Sequence, residues 1–468
     1  MFRFVRCVLI SLVTVSALFP ILSHALGPAR VSESAAQSCS SMLARPAVVV
    51  VNAYSSGRFL PKPIRAMGYD VIHISSDAPA ILLKSFDKTD VSKDIKYDDD
   101  FEKLIQALRN HAPVAVMPGA ESGVLLADEI AAALHTEFGI PSNGVLTARR
   151  DKYEMNELVK LRGNDTVRQL KTANVEDALK WVRDNHILSG QAVLKPLMSA
   201  GSDGLRFCKS EDEIRDAFSK LYGHTNAYNM RNETVLVQER LRGKKNTKNP
   251  LDIDYEYVVN TVSSKGKHVV TDIWKYHKKE VEGAGMIYDY DELLPFEGEI
   301  QQQLVAYAFR VLDALEIKTG WGHAEIIMTE RGPILVEIGN RMMGAGQPRL
   351  VQDAIGQSQI ELGLEAYLNP EKFIDRPVGY KFRDYAVLMS LSAPVDGFKL
   401  SKKIESELAK LPGVVRYKFN YQDGDSIPRT VDMNTSFAQV ELVHSDARTI
   451  QESVAKIRKL EADGVFFK

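Results

Sequence analysis

The chain has little cysteine, almost no net charge and no apolar run long enough to cross a bilayer unaided. Its three cysteines, Cys7, Cys39 and Cys208, lack metal-ligand spacing, and an odd count argues against a disulfide framework. A net charge of −2 leaves no surplus of positive charge, so a nucleic-acid-binding surface is not expected. The apolar stretch Cys7 to Leu22 is short against the roughly 20 residues that a spanning helix needs.

What is present is ordinary for a globular protein with well-filled cores. Hydrophobic residues make up 45% and charged residues 26% of 468 residues, a length that suits about three domains. Arg3 and Arg6 precede the apolar run, and Ser23-His24-Ala25 has the small-x-small form that a signal peptidase cuts. Residues 1–25 therefore read as a secretory leader, with an uncleaved membrane anchor as the alternative. Met42 offers a second start that would give a leaderless cytoplasmic protein. Residues 26–46, rich in Ser, Ala and Pro, read as a linker.

Residues 47–144 have the pattern of a parallel α/β domain. The strand Ala47 to Asn52 runs into the loop Ala53-Tyr54-Ser55-Ser56-Gly57, a helix and a second strand; Val114 to Met117 repeats the pattern with the loop Pro118 to Gly123. Ligands bind such sheets at the carboxyl ends of their strands, which makes Ser55 and Glu121 candidates for substrate contact. Gly57, Gly119 and Gly123 are also consistent with simple turns.

From Val145 the vocabulary changes to charged helices, the first carrying Lys152. A strand ends at Lys195, and the small-residue loop Ser199 to Gly204 follows, including Gly201 and Ser202. Such a loop lets backbone N–H groups approach phosphate oxygens. Another strand ends at Gln238-Glu239. The polar segment Gly243 to Asp252 reads as an exposed insertion. Strands then cover Glu256 to Ser263 and His268 to Tyr276, and Lys275, His277, Lys278 and Lys279 read as a solvated basic face. Residues 299–315 show helical spacing of apolar residues. Residues 373–468 read as a further α/β subdomain without a dense cluster of chemical groups.

The most informative stretch is Gly320 to Gly346. It reads as two strands, Ala324 to Thr329 and Pro333 to Ile338, joined by a turn at Glu330-Arg331-Gly332. A hairpin centred on Arg331 sets Glu325 opposite Glu337, and two facing carboxylates repel unless a cation lies between them. Asn340 and Arg341 follow, adding a neutral oxygen and a fixed positive charge. Together these look like a divalent-metal site beside an anion clamp.

With these motifs in this order, the sequence resembles the ATP-grasp superfamily of carboxylate–amine ligases, and within it the L-amino acid ligase branch similar to bacilysin synthetase. The resemblance is carried by VNAYSSGRFL, PGAESGVLLAD, ARRDKYEM, VLKPLMSAGSDG, VLVQERL, EYVVNTVS and GHAEIIMTERGPILVEIGNRMMGAG. It implies an ATP-grasp fold of the α/β (α+β) class: an N-terminal parallel α/β domain (47–144), a central ATP-grasp domain (145–372) and a C-terminal subdomain (373–468). It implies ATP and magnesium, or manganese, as cofactors and amino acids as substrates. Lys152 and Lys195 would contact phosphates, with Lys195 also near the adenine; the loop holding Ser199, Gly201, Ser202 and Gly204 would close over them. Gln238 and Glu239 would hold the adenine and ribose. Glu325, Glu337 and Asn340 would hold metal, Arg341 the acyl-phosphate or substrate carboxylate, and His323 would face the substrate or sit in the core. Relatives of this kind are often dimers. Two departures stand out: the insertion Gly243 to Asp254, and Asn260 where an Asp is common. A different acceptor, as in carboxylase-like or peptide-modifying enzymes, and a non-catalytic ATP-binding protein remain open alternatives.

Overall fold

The computed structural model describes residues 45–468 apart from 190, 245–255, 282–284, 402–403 and 434. The leader, Met42, nearly all of the linker and most of the insertion lie outside the described residues. Among the described residues no helix is long and apolar enough to cross a membrane.

The valine run Ala47–Val51 (β1) is buried along its whole length and lies between parallel neighbours. Such uninterrupted apolar strands belong inside parallel sheets covered on both faces. β2 (Asp70–Ser75), β3 (Lys93–Lys96) and β4 (Pro113–Pro118) complete the order β3-β2-β1-β4. Val49 and Val51 pack with Leu104 and Ile130 of the helices Phe101–Arg109 and Val124–Phe138. Val48 and Val50 pack the other way, with Ile64 of Pro61–Ala66 and Ile360 of Gln359–Leu368. The loops after β1 and β4 therefore emerge side by side, carrying Ser55 and Glu121.

A second, antiparallel sheet has the order β5-β8-β6-β7, formed by β5 (Gln169–Thr172), β6 (Ala192–Lys195), β7 (Arg206–Cys208) and β8 (Val235–Glu239). The helices Val175–Asp184 and Glu211–Leu221 form a core with it through Leu179, Val182, Ile214 and Phe218. Each helix starts at a side-chain cap, Asn174 and Ser210, whose oxygen accepts one of the N–H groups left unpaired in the first turn.

The largest sheet comprises β9 (Glu256–Ser264), β10 (Lys267–Val281), β11 (Gly285–Leu294), β12 (Gly320–Thr329), β13 (Gly332–Gly339), β14 (Tyr385–Leu391), β16 (Val414–Phe419) and β18 (Ala438–His444), in the order β13-β12-β9-β10-β11-β14-β18-β16. It continues across residue 373, so the last fifth of the chain extends the surface that begins at the hairpin. β15 (Phe398–Lys399) and β17 (Ser426–Ile427) form a separate small pair. The helix Glu299–Ala314 backs the sheet through Leu304, Ala308, Val311 and Leu312.

In the hairpin, Thr329 pairs with Gly332, so the turn is the two residues Glu330 and Arg331. Even pairing from that turn would set Glu325 opposite Val336. A bulge leaves Val336 unpaired and brings Glu337 opposite Glu325. The facing carboxylates expected from the sequence are present, but the bulge puts them there rather than a turn centred on Arg331.

The glycines of the N-terminal loops serve close backbone approach more than turning. A Cβ on Gly57 would lie 2.3 Å from the Gly119 carbonyl oxygen, and one on Gly119 would lie 2.5 Å from that of Asn52. Gly119→Ala should therefore destabilise the protein by about 1–3 kcal/mol, the usual cost of overpacking. Chemical denaturation checks this, and an unchanged midpoint would show that the loops part without cost.

Candidate active site

The facing pair Glu325 and Glu337 is surrounded by buried cations. Lys152 opens the helix Lys152–Leu161, whose cap Asp151 accepts from the N–H groups of Tyr153 and Glu154, fixing where the lysine begins. Its Nζ lies 3.1 Å from Glu337 Oε2 and donates to the Ser199 carbonyl at 2.5 Å. Lys195, at the end of β6, is 7% exposed, and burial drives its ammonium down to about 8 despite the attraction of Glu337. Burial pushes Glu325 upward, with Glu337 adding to it; burial pushes Glu337 the same way, but Lys152 and Lys195 outweigh it and hold that carboxyl low. The two glutamates are thus chemically unequal although they face each other.

The small-residue loop lies over this pair. Gly201, Ser202 and Gly204 all have positive φ, and a Cβ on Gly204 would lie 2.8 Å from Pro196. The turn therefore depends on glycine there. Ser199 Oγ donates to the Asp203 carbonyl at 3.3 Å.

Arg341 follows β13 and is not a free clamp. Its Nε lies 2.6 Å from Glu121 Oε2, and Arg150 holds the other oxygen of Glu121 at 2.6 Å. Burial opposes ionisation of Glu121, yet Arg341 and Arg150 bring it down to about 2. Glu121 thus fixes the Arg341 guanidinium from the N-terminal sheet. Ser55 is similarly committed: its Oγ accepts the N–H of Ala345 at 3.1 Å. Both residues still line the cavity beside the glutamates.

His323 belongs both to the core and to the cavity. It is 4% exposed, and its Nδ1 lies 2.8 Å from Asn260 Oδ1. Asn260 has that oxygen free because its Nδ2 donates to Asp272 Oδ1 at 2.5 Å. The Asn260 carbonyl must therefore accept, so Nδ1 of His323 carries the proton and Nε2, 3.3 Å from Glu325 Oε1, has the lone pair. Burial and Arg341 keep the ring neutral by lowering it to about 3.

Glu239 ends β8 between Arg168, at 2.8 Å, and Arg331, at 2.5 Å. Gln238 donates to Gln169 at 2.9 Å. Both line an apolar slot with Val193, Phe207, Ile327 and Val336. Lys195 and Ser202 line this slot and also a second cavity holding Lys152, Glu325 and Glu337. That second cavity shares Glu325, Glu337 and Gly201 with a third, of about 290 Å³, reached by His323 and Arg341. The three are consecutive chambers of one cleft.

Sequence reasoning missed several of its walls. Lys278 is not part of a solvated face: its Nζ lies 2.8 Å from both oxygens of Glu256, and its side chain is only 15% exposed. Strand alternation carried the signal, since Lys278 follows the buried Trp274 and Tyr276 at period two. Burial and Glu325 push Glu256 up to about 7 while Lys278 opposes them. Tyr276, Tyr288, Asp291, Gln347 and the C-terminal Lys418 and Gln439 also line the third chamber. They come from four strands and a helix start, and no local pattern marks them together.

The residues fit a divalent cation. Two carboxylates face each other, and Asn340 Oδ1 is buried without a hydrogen-bond partner. Among the described residues no three carboxylate, imidazole or thiol groups cluster for an ion, so a third protein ligand would have to be of another kind, such as that amide.

Comparison with known proteins settles the architecture. The chain superposes on an L-amino acid ligase from Bacillus licheniformis with a TM-score of 0.64, at 16% identity, over 89% of this chain and 98% of that one. It superposes likewise on a carboxyaminoimidazole ribonucleotide synthase from Aspergillus clavatus solved with ATP, with a TM-score of 0.63 at 14% identity, over 90% and 99% of the two chains. The chain has the ATP-grasp fold. Dapdiamide A synthase of Enterobacter agglomerans is 28% identical over 427 residues, which covers 89% of this chain and 96% of that protein. No family model matches the sequence. Of the expected site residues, all but Gly204 and Asn340 line this cleft; Gly204 shapes the turn of the small-residue loop, and Asn340 directly follows the hairpin.

Asn260 also accounts for its own departure from aspartate. An acid there would face the buried Asp272 carboxylate, which already accepts from Thr271 and Trp274, and would remove the donor between them. Asn260→Asp should cost about 2–4 kcal/mol, the scale of a lost buried hydrogen bond plus an unpaired charge. Urea denaturation checks this; wild-type stability in the variant would show that the Asp272–Asn260–His323 chain is not needed for folding.

Proposed function

We propose that the protein is an ATP-dependent carboxylate–amine ligase that joins two amino acids through an acyl-phosphate, releasing ADP and phosphate. The observation that carries this reading is the continuous cleft: an apolar slot, a cation-rich chamber at paired carboxylates, and a larger mixed-charge chamber. That sequence suits a base, a chain of phosphates and a zwitterionic substrate. The similarity to dapdiamide A synthase supports amide formation.

In this reading the slot at Gln238 and Glu239 takes the adenine and ribose, and Lys195 and Lys152 hold the phosphates beneath the Ser199–Gly204 loop. Glu325, Glu337 and Asn340 would hold magnesium, which when bound offsets charge building on the transferring phosphoryl group. A carboxylate oxygen of one substrate attacks the γ-phosphorus, the bond to the bridging oxygen breaks and ADP leaves. Arg341, held by Glu121, steadies the acyl-phosphate through its planar fork. An amine then attacks the acyl carbon, phosphate departs and the amine loses a proton. The protein supplies positioning and charge, with no nucleophile of its own.

The test is phosphate release from ATP and magnesium across all pairs of amino acids. Release should rise only with particular pairs, with a matching condensation product by mass spectrometry; no stimulation by any pair would overturn the reading. Glu337→Gln should lower the stimulated rate by about 10²–10³-fold, the scale for removing one electrostatic stabiliser. A variant with the wild-type rate would remove the hairpin from the chemistry.

A further inference from the structure

The third chamber contains a buried carboxylate that nothing in the ligase chemistry uses. Asp291, on β11, lines it and is 6% exposed. Its Oδ2 accepts from Gln347 Nε2 at 2.8 Å, while its Oδ1 is buried and has no hydrogen-bond partner. The nearby ammonium of Lys278 is turned to Glu256, which accepts from it with both oxygens at 2.8 Å, and makes no hydrogen bond to that Oδ1. A half-satisfied buried carboxylate is costly and is relieved by a charged N–H donor. Tyr276, which pairs with Asp291 across the strands, and Tyr288 line the same chamber, their rings 5.5 Å apart. Aromatic faces beside a carboxylate favour a small cation. Arg341, in the same chamber, supplies positive charge suited to a carboxylate or acyl-phosphate.

We propose that Asp291 binds the ammonium of the amino acid whose carboxylate is activated, so that the enzyme requires a free amine on that substrate. The inference rests on the ligase reading. It also gives the site direction. An amine held against Asp291 stays protonated and cannot attack an acyl-phosphate, so only the second substrate's amine reacts. Gln347 is a positioning residue in this arrangement, since it fixes one carboxylate oxygen and leaves the other for the ligand.

The experiment compares each stimulating amino acid with its N-acetyl form as carboxylate donor, in the wild type and in Asp291→Asn, reading phosphate release and product mass. The wild type should use the free amino acid and fail with the acetylated one. Asp291→Asn should raise the half-saturating concentration of the free donor about tenfold or more while leaving that of ATP within about twofold, as expected for one lost charge-assisted hydrogen bond. Stabilisation of the variant by ATP and magnesium in a thermal melt shows that its nucleotide end is intact. Equal use of free and acetylated donors by the wild type overturns the assignment whatever the variant does. An unchanged free-to-acetyl ratio in the variant also overturns it. Absence of stimulation by any compound fails the ligase reading itself, a result distinct from equal stimulation by both forms.

Discussion

Two carboxylates held face to face inside a protein are the constraint from which the rest of this structure follows. Glu325 and Glu337 repel, and burial sharpens the repulsion because little water remains to screen it. The fold tolerates the pair by placing Lys152 and Lys195 on one side, which keeps Glu337 ionised, while Glu325 is left more easily protonated. Those two cations come from a helix start and a strand end of separate segments. The carboxylate pair therefore stabilises the folded arrangement of distant parts only when all of them are docked together.

The same logic extends outward as alternating charge. Glu121 is shared by Arg341 and Arg150, and Glu256 takes Lys278, whereas Asp291 is held by the neutral Gln347 and keeps one oxygen without a hydrogen-bond partner. Removing any single member would strand a charge in a low-dielectric interior, which costs more than the pair gains when intact. Such a network also fixes geometry. Arg341 cannot swing while Glu121 holds its Nε, and the neutral His323 ring cannot turn over without breaking its bond to Asn260.

How much of this was legible in the sequence depended on distance along the chain. The Glu325–Glu337 pair is local, so strand alternation and a turn revealed it, although the route through a bulge at Val336 left no mark that pattern alone could read. Lys152, Lys195 and the Ser199–Gly204 loop were reached because they stand in a recognisable order. Asp291 and Gln347 were invisible: 56 residues separate them, and only the closure of β11 against the helix that begins at Gln347 makes them partners. Lys278 was misread for a different reason. A run of four basic side chains looks solvated by composition, yet a strand alternates its faces, so one member of the run can be the cation of a buried site.

Charge counting gives the cleft its final constraint. The cleft is lined by the acidic side chains of Glu121, Asp203, Glu239, Glu256, Asp291, Glu325 and Glu337 and the basic ones of Arg58, Lys152, Lys195, Arg240, Lys278, Arg341 and Lys418, so the two signs balance formally. A ligand set of large net charge would upset that balance in a medium that screens poorly. A nucleoside triphosphate carries roughly four negative charges, which two divalent ions offset, and a free amino acid is a zwitterion. Each is neutral as a whole yet strongly polar along its length. A cleft that sums to zero but separates its charges into zones, as this one does, matches ligands of that kind better than it matches a bare anion or an apolar molecule.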